Sequence, residues 1–357
     1  MRFFNSIQPS FYKPYSPLFF STVKPYQPLF SSSMESPPLL ILHGKTSLET
    51  QFAQSLKTTL KLPDPDTNLT ISLQDQSITE PSSSFNLHSY MNSLTTTHFG
   101  RFMIFSPRLS STQDLISKNF TQLPIGTVCV ADVQFKGRGR SKNQWESPKG
   151  CLMFSFTLQM DDGKIVPLLQ YVVCLAIVEA IKDVCGFRGF PILDVRIKWP
   201  NDIYLNGLKI GGILCNSTYS LKKFNVTVGM GLNVDNEVPT TCLNKVLREL
   251  SSMPNELTRE EILAAFFKRF EDFFDVFISQ GFKALEEMYC KAWLHTEQRV
   301  VIQETGEDGL VEETGVTIQG LTSAGYLLAV DDNNQMYELH PDGNSLDFFN
   351  GLVRRKL

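Results

Sequence analysis

The sequence has few of the residues from which disulfide frameworks and metal sites are built. Its seven cysteines and five histidines are dispersed along 357 residues, and no two cysteines form a C-x-x-C pair. An odd number of separated cysteines is typical of reduced thiols in a reducing compartment. Dispersed histidines also lack the spacing of zinc ligands. We therefore expect free thiols and no metal site.

The chain also lacks an excess of basic residues. It has 33 Lys and Arg against 37 Asp and Glu, which gives a net charge of -4 and a pI near 5.8. A general nucleic-acid binder needs surplus cations to replace phosphate counterions, and residues 38–95 do not show the two adjacent helices of a helix-turn-helix. We expect no nucleic-acid partner. With 42% hydrophobic residues, the chain can bury at least one full core and form two or three domains.

Acidic residues are missing from the first 34 positions. This stretch holds Arg2, Lys13 and Lys24 and many Ser, Pro, Phe and Tyr residues, but no apolar run long enough for a signal-peptide core or a membrane span. The composition predicts a chloroplast transit peptide over residues 1–33. The alternatives are a mitochondrial peptide or a tail without a targeting role. Met34 could start a cytosolic form, and no membrane partner is expected.

Hydrophobic periodicity predicts a mixed α/β fold followed by a β domain. A small α/β segment with a strand at Leu39–Leu42 occupies residues 34–95, and its Leu48, Phe52, Leu56 and Leu60 are spaced to share one helix stripe. Further elements are strands at Thr127–Val133, Cys151–Leu158 and Asp194–Trp199, a hairpin at Asn206-Gly207, and helices at Pro167–Val184 and after Thr258. Beyond residue 295, short apolar runs alternate with turn clusters, which is typical of a small β-barrel.

A glycine- and arginine-rich loop is the most unusual local sequence. Gly137–Lys142 contains three cations and two glycines. Glycines let backbone N–H groups converge on a polyphosphate, and arginine binds phosphate through two hydrogen bonds. Such sequences also occur in RNA-binding tails and solvated loops, so the loop alone leaves its role open.

Three further motifs have both a functional and a structural interpretation. Lys198 lies in an otherwise apolar strand, where a carboxylate or phosphate ligand would offset its burial, although the side chain could also reach the sheet edge. Asp202 is as compatible with bracing a turn as with catalysis. Gly229–Val234 carries glycines that leave a bare strand face, either for a ligand or for an overlying helix, and Lys209–Leu214 lies on the second hairpin strand.

In their order, these motifs resemble the biotin–protein ligase (holocarboxylase synthetase) family. The matching stretches are Ser111-Thr112-Gln113, Gln134 with Gly137–Arg140, Trp145–Pro148, Lys198–Asp202, Lys209–Leu214 and Gly229–Val234. The resemblance covers residues 99 to 357. It implies an α+β fold: a class II-synthetase-like, mixed-sheet ligase domain at 96–295 and a small SH3-like β-barrel at 296–357.

The resemblance also implies an activity and site residues. The family activates biotin with ATP and Mg²⁺ to biotinyl-AMP and transfers it to a lysine of biotin carboxyl carrier domains in carboxylases. Its motifs assign biotin binding to Ser111, Thr112, Gln113, Gln134, Arg138, Gly139, Arg140 and Lys198. They assign nucleotide binding to Gly137, Trp145, Asn201 and Asn233, and catalysis to Arg138, Arg140 and Lys198. The sequence predicts no oligomeric state.

Two departures from the bacterial pattern stand out. Gln113 replaces the usual Asn, and Ser141–Asn143 follow Arg140 in place of a further Arg-Gly-Arg. The competing interpretations are a lipoate ligase, an octanoyl transferase, or a non-catalytic biotin sensor. The lipoate ligases lack the Lys-Trp-Pro-Asn-Asp motif, and an octanoyl transferase needs an activated Cys paired with a Lys, for which no cysteine here has a clear context.

Overall fold

The structure is a computed structural model that describes residues 39–62, 70–73, 84–139, 144–236, 238–251, 256–305, 311–341, 344–347 and 350–355. The predicted transit peptide and Met34 lie outside these residues, as does Arg140 of the glycine-rich loop. The described chain belongs to one compact unit, Pro37–Leu357.

Within the described part, ten strands form one mixed sheet. In spatial order they are β2 (Thr70–Leu73), β1 (Leu39–Gly44), β3 (Phe102–Leu109), β4 (Val128–Arg138), β6 (Cys151–Met160), β10 (Lys223–Asn233), β9 (Leu208–Ser220), β8 (Asp202–Leu205) and β7 (Val195–Lys198), while β5 (Gln144–Ser147) pairs with β4. The β1–β2 and β3–β4 pairs are parallel. Because β1 pairs with β3, the N-terminal strands extend the central sheet. The predicted domain boundary at residue 95 stays a prediction.

Helices cover both faces of this sheet. They are α1 (Ser47–Leu56), α2 (Leu87–Ser93), α3 (Thr112–Asn119), α4 (Leu169–Arg188), α5 (Leu243–Leu250), α6 (Arg259–Gln280) and α7 (Lys283–Ala292). The larger core contains side chains of α2, α4, α5, α6 and α7. The capping box predicted for α6 is present, because Thr258 Oγ1 accepts the Glu261 N–H at 3.2 Å and the Glu261 carboxylate accepts the Thr258 N–H.

The smaller core lies between the other sheet face and α1 and α3. Leu56 and Leu60 pack there with Leu115 and Ile116. The helix α1 carries Leu48, Phe52 and Leu56 of the predicted stripe but ends before Leu60, and Leu48 in its first turn is 75% exposed. The residues that follow α1 therefore share a core with α3.

One buried amide fastens this N-terminal stretch to the end of α3. Asn119 Oδ1 accepts the Lys61 N–H at 2.8 Å, and its Nδ2 donates to Lys61 O at 2.7 Å and to Leu115 O at 2.8 Å. The side chain is fully buried. It thus pairs the backbone of Lys61 much as a neighbouring strand would.

We expect Asn119→Ala to lower the free energy of unfolding by about 1–3 kcal/mol, because it leaves buried backbone groups without partners. Urea unfolding of the full chain measures this. The matched control is Asn225→Ala, which removes only a surface amide bond from Gln159 Nε2 (2.8 Å) and should change stability by under about 0.5 kcal/mol. Equal effects of the two substitutions would contradict a stabilising role of the buried Asn119 amide.

The predicted hairpin joins β8 to β9. Asn206 and Gly207 both have positive φ, 49° and 79°, which is the conformation that a type I′ turn requires. The turn places Asp202 opposite Gly212 across the two strands. The turn signal therefore predicts the part of the sheet that carries the Lys198–Asp202 and Lys209–Leu214 motifs.

The C-terminal residues form a second sheet. Among the described residues its strands, in spatial order, are β14 (Met336–Leu339), β13 (Leu327–Asp331), β12 (Val311–Leu321), β11 (Arg299–Thr305), β16 (Leu352–Arg355) and β15 (Asn344–Asp347). The predicted fold class, α+β with a mixed sheet followed by a small SH3-like β domain, is confirmed. Within the described ranges, no helix is long and apolar enough to cross a membrane.

Candidate active site

The first turn of α3 lies at the centre of the candidate site. Ser111 caps the helix in extended conformation (φ −158°), and its Oγ accepts the Asp114 N–H at 3.2 Å. A serine here satisfies a helix N–H that has no intrahelical acceptor. Ser110 O accepts the Lys136 N–H at 2.8 Å, which ties the turn to β4. The three predicted residues of this turn are thereby buried on a fixed backbone.

Thr112 connects this turn to two strands. Gln134 Oε1 accepts from the Thr112 N–H at 2.9 Å and from Thr112 Oγ1 at 3.1 Å. Thr112 Oγ1 lies 2.9 Å from Ser155 Oγ on β6. All three side chains are buried. Two of the predicted biotin-binding residues, Thr112 and Gln134, therefore belong to one hydrogen-bonded network.

Gln113 presents a buried acceptor to the sheet. Its Nε2 donates to Thr227 O at 3.1 Å and to Thr227 Oγ1 at 2.9 Å. Because a carbonyl only accepts, the amide orientation is fixed, with Oε1 turned away. Among the described residues this Oε1 has no hydrogen-bond partner. A Cβ at Gly229 would lie 2.6 Å from it, so the acceptor stands directly over the bare face of β10.

The indole of Trp145 lies against the same bare face. A Cβ at Gly231 would lie 2.6 Å from Trp145 Nε1 and 2.7 Å from its Cε2, and one at Gly212 would lie 3.6 Å from Cζ3. Within the described part of the chain, Trp145 Nε1 is buried without a partner. Lys209 Nζ lies 5.7 Å from the ring centroid, within cation–π range. The glycines of two motifs thus form the floor under this aromatic ring.

The glycine-rich loop begins beside Trp145. A Cβ at Gly137 would lie 2.5 Å from Trp145 O, so this position needs a glycine. Arg138 is 67% exposed, and its Nη2 lies 3.2 Å from Asp114 Oδ2 on α3. Gly139 is the last described residue before the gap, and Arg140 lies outside the description. One predicted cation is thereby placed next to the first turn of α3.

Lys198 ends the edge strand β7. Its backbone is paired with Asp202 of β8, and its Nζ lies 5.9 Å from the centroid of the Tyr204 ring. Asp202 Oδ1 accepts from Lys209 Nζ at 2.6 Å. Lys209 therefore contacts both Asp202 and the Trp145 ring, while Lys198 lies over Tyr204. Asp202 has the bracing contact that one of its two interpretations predicts.

Both predicted nucleotide-binding asparagines make protein contacts. Asn201 Nδ2 donates to Ile213 O, and Asn201 O accepts the Ile213 N–H at 3.0 Å. Asn233 Nδ2 donates to Thr241 O at 3.0 Å, while its Oδ1 accepts from Cys151 Sγ at 3.5 Å. These contacts hold the loops around β9 and β10. A contact with nucleotide stays a prediction for both.

The thiols have the environment of buried hydrophobes. Burial raises the pKa of Cys215 to about 12, and burial, opposed by the nearby Arg259, raises that of Cys151 to about 12. A nucleophilic cysteine needs a lowered pKa. Within the described ranges no three His, Cys, Asp or Glu side chains lie close enough to hold a metal ion.

Three residues of the site were not singled out from the sequence. Ser155 is a polar residue on a mainly apolar strand, and Thr227 is a polar residue on the glycine-rich face of β10. This contrast with their neighbours is a sequence signal that indicates both positions. His295 is fully buried, and its Nε2 accepts the Trp199 N–H at 3.0 Å. No local pattern around His295 indicates that contact.

Known proteins resemble the chain in sequence and in fold. The Biotin/lipoate A/B protein ligase family matches residues 105–233. The chloroplastic biotin–protein ligase 1 of Arabidopsis thaliana is 62% identical over 323 residues, 89% of this chain and 88% of that protein. Biotin–protein ligase 2 of the same organism is 62% identical over 323 residues, 89% of this chain and 98% of that protein.

A solved structure agrees with this similarity. The biotin protein ligase from Aquifex aeolicus in complex with biotin and ATP has a TM-score of 0.53 and 26% identity, and covers 71% of this chain and 99% of that one. The relatives from Arabidopsis are matched over almost their whole length. The chain therefore belongs to the biotin–protein ligase family.

Proposed function

We propose that this chain is a biotin–protein ligase that joins biotin to ATP as biotinyl-AMP and then transfers the biotinyl group to a lysine. The observation that carries the proposal is the buried, unpartnered Oε1 of Gln113 above Gly229. A buried acceptor without a partner is costly, so a ligand N–H is a fitting partner for it. The two ureido N–H groups of biotin are donors of this kind.

In this proposal, the first turn of α3 binds the biotin rings. Gln113 accepts one ureido N–H, and Ser111, Thr112 and Gln134 complete the wall around the bicycle. The bare strand face at Gly229 allows the ring system to lie close to the backbone. Gln113, in place of the usual Asn, would reach one methylene further toward β10, and the Thr227 contacts hold it there.

The first half-reaction needs positive charge at two places. A carboxylate oxygen of biotin attacks the α-phosphorus of ATP, the bond from that phosphorus to the bridging oxygen breaks, and pyrophosphate leaves. Arg138, Gly139 and Arg140 would lie over the carboxylate and phosphate, and Lys198 would contact the carboxyl oxygen. Fixed cations stabilise the charge that concentrates there in the transition state.

The nucleotide would lie on the side of Trp145 and Lys209, with Gly137, Asn201 and Asn233 shaping its surroundings. Mg²⁺ would enter with ATP and would supply neutralisation of the phosphate charge.

In the second half-reaction, the acceptor lysine amine attacks the carbonyl carbon of biotinyl-AMP. An amide bond forms, the bond to AMP breaks, and the amine proton is released to solvent. Lys198 would stabilise the developing oxyanion. The proposed acceptors are biotin carboxyl carrier domains of biotin-dependent carboxylases such as acetyl-CoA carboxylase.

For location, we propose import into chloroplasts through residues 1–33, with a second, cytosolic form starting at Met34 and mitochondria as the alternative destination. The relative named chloroplastic supports the first destination. Import of a fusion carrying residues 1–33 into isolated organelles tests this. Uptake by mitochondria alone would make the mitochondrion, and not the chloroplast, the destination.

Exchange of labelled pyrophosphate into ATP tests the proposed chemistry. We expect exchange by the purified protein only with biotin, and not with equal concentrations of lipoate or octanoate. Added carrier domain should then become biotinylated, whereas a carrier with its acceptor lysine replaced by arginine should not. Exchange driven by lipoate or octanoate would point to the related ligases, and binding of biotin without exchange would point to a sensor.

A further inference from the structure

The outer edge of β7 is paired with the segment that leads into the C-terminal domain. Ile197 forms a parallel bridge with Trp293, and Ile197 O accepts the Leu294 N–H at 2.9 Å. Residues 293–295 therefore run beside the end of β7 like a short additional strand. Lys198 lies at this end of β7, next to the paired residue.

Just beyond the end of β7, a side chain takes the place of a backbone acceptor. The Trp199 N–H donates to His295 Nε2 at 3.0 Å. Pro200 follows and has no N–H, so Trp199 supplies the last backbone donor before the turn. The imidazole thus ends the pairing that the bridge at Ile197 begins.

The hydrogen bonds fix the protonation state of this imidazole. Because His295 Nε2 accepts from the Trp199 N–H, the ring proton is on Nδ1, which lies 2.8 Å from Gln298 Oε1. Burial, and to a lesser degree the charge of Lys198, lower the pKa of His295 to about 4, against the opposing bond to Gln298. The ring is therefore neutral, and its Nε2 lone pair stays available near pH 7.

The indole of Trp199 is held at its other end as well. Its Nε1 lies 3.0 Å from Tyr171 Oη and 3.2 Å from Gly325 O, to both of which it can donate. Gly325 has a φ of 84°, and a Cβ there would lie 2.7 Å from a ring carbon of Tyr171, so the turn of the C-terminal domain fits closely against α4. The residue after Lys198 is thus held by main chain and side chain together.

We propose that His295 is a positioning residue for Lys198, which it serves by holding the Trp199 N–H and thereby fixing the direction in which Lys198 leaves β7. This inference rests on the proposed catalytic use of Lys198. A lysine has a long flexible stem, so the direction of its Cα–Cβ bond decides whether the ammonium reaches one fixed carboxyl oxygen. His295 touches neither biotin nor ATP in this scheme.

A double-mutant cycle on the full-length protein tests the proposal. We expect His295→Ala to lower the single-turnover rate of biotinyl-AMP formation by about 10- to 100-fold, as misplacement of a catalytic group does. The KM values for biotin and ATP should change by less than about threefold, because the binding walls are elsewhere. In a Lys198→Ala background, His295→Ala should cost less than about threefold more.

Two further variants separate positioning from folding. His295→Gln keeps an acceptor near the position of Nε2 and should recover most of the rate, and His98→Ala, at an exposed histidine, should leave the rate unchanged. If His295→Ala does not fold, Gln298→Leu, which removes the Nδ1 acceptor, takes its place in the cycle. Its rate loss should likewise vanish without Lys198.

The outcomes distinguish this inference from the proposed function. Equal losses with and without Lys198, or KM values that rise as much as the rate falls, would give His295 a merely structural role and overturn the proposal. A Lys198→Ala protein with full activity would overturn it too. Absence of biotin-dependent exchange in the unaltered protein would instead reject the proposed function itself.

Discussion

Replacing Lys198 by alanine is expected to lower biotin-dependent pyrophosphate exchange by about 10²–10³-fold, the loss typical of one preorganised charge contact at a reacting oxygen. The side chain ends β7, and its Nζ lies 5.9 Å from the Tyr204 ring centroid. Asp202, whose backbone is paired with it, is engaged by Lys209. A negative charge that develops at the reacting oxygen is a reason for a cation at this place.

Arg196 is a matched control for this substitution. It lies on the same face of β7, two residues before Lys198, and contacts Asp194 Oδ1 at 2.6 Å and Lys291 O at 2.9 Å. Arg196→Ala should keep exchange within about twofold, because an exposed ion pair contributes little. Lys198→Arg should recover part of the rate. Equal losses of exchange for Lys198→Ala and Arg196→Ala would show that any positive charge on this edge of the sheet has the same effect, and would contradict a specific role of Lys198.

The parts of the fold that the sequence predicts are those with a strong period or a turn signal. Alternation along Cys151–Leu158 predicts β6, and the apolar run Pro167–Val184 predicts α4. Asn206-Gly207 specifies its hairpin through the sign of φ. These signals act between near neighbours in the chain, and they need no knowledge of the tertiary fold.

Partners far apart in the chain are what the sequence does not predict. Gln113 meets Thr227, 114 residues away, and Trp199 meets His295, 96 residues away. The pairing of β1 with β3 is another case, since a short apolar strand carries no mark of the strand beside which it will lie. The order of the motifs still groups these residues into one site. It does so only through the family resemblance and not through any geometry that the sequence shows.

The sharpest test of the site's layout uses its two strand glycines. Gly229 and Gly231 are on one face of β10, two residues apart, beneath Gln113 and Trp145 respectively. We expect Gly229→Ala to raise the KM for biotin and Gly231→Ala to raise the KM for ATP. Overpacking a close contact costs about 1–3 kcal/mol, which corresponds to about a 5- to 150-fold change.

Each substitution should raise the KM of the substrate whose binding side chain it displaces. An added Cβ at Gly229 would lie 2.6 Å from Gln113 Oε1 and 3.2 Å from Ser155 Oγ, on the proposed biotin side. At Gly231 it would displace the indole of Trp145, on the proposed nucleotide side. Gly320→Ala is the control, since no atom lies within 4 Å of its added Cβ. Steady-state kinetics in each substrate measures both effects, and a variant that raises the two KM values equally would contradict separate binding walls on one strand.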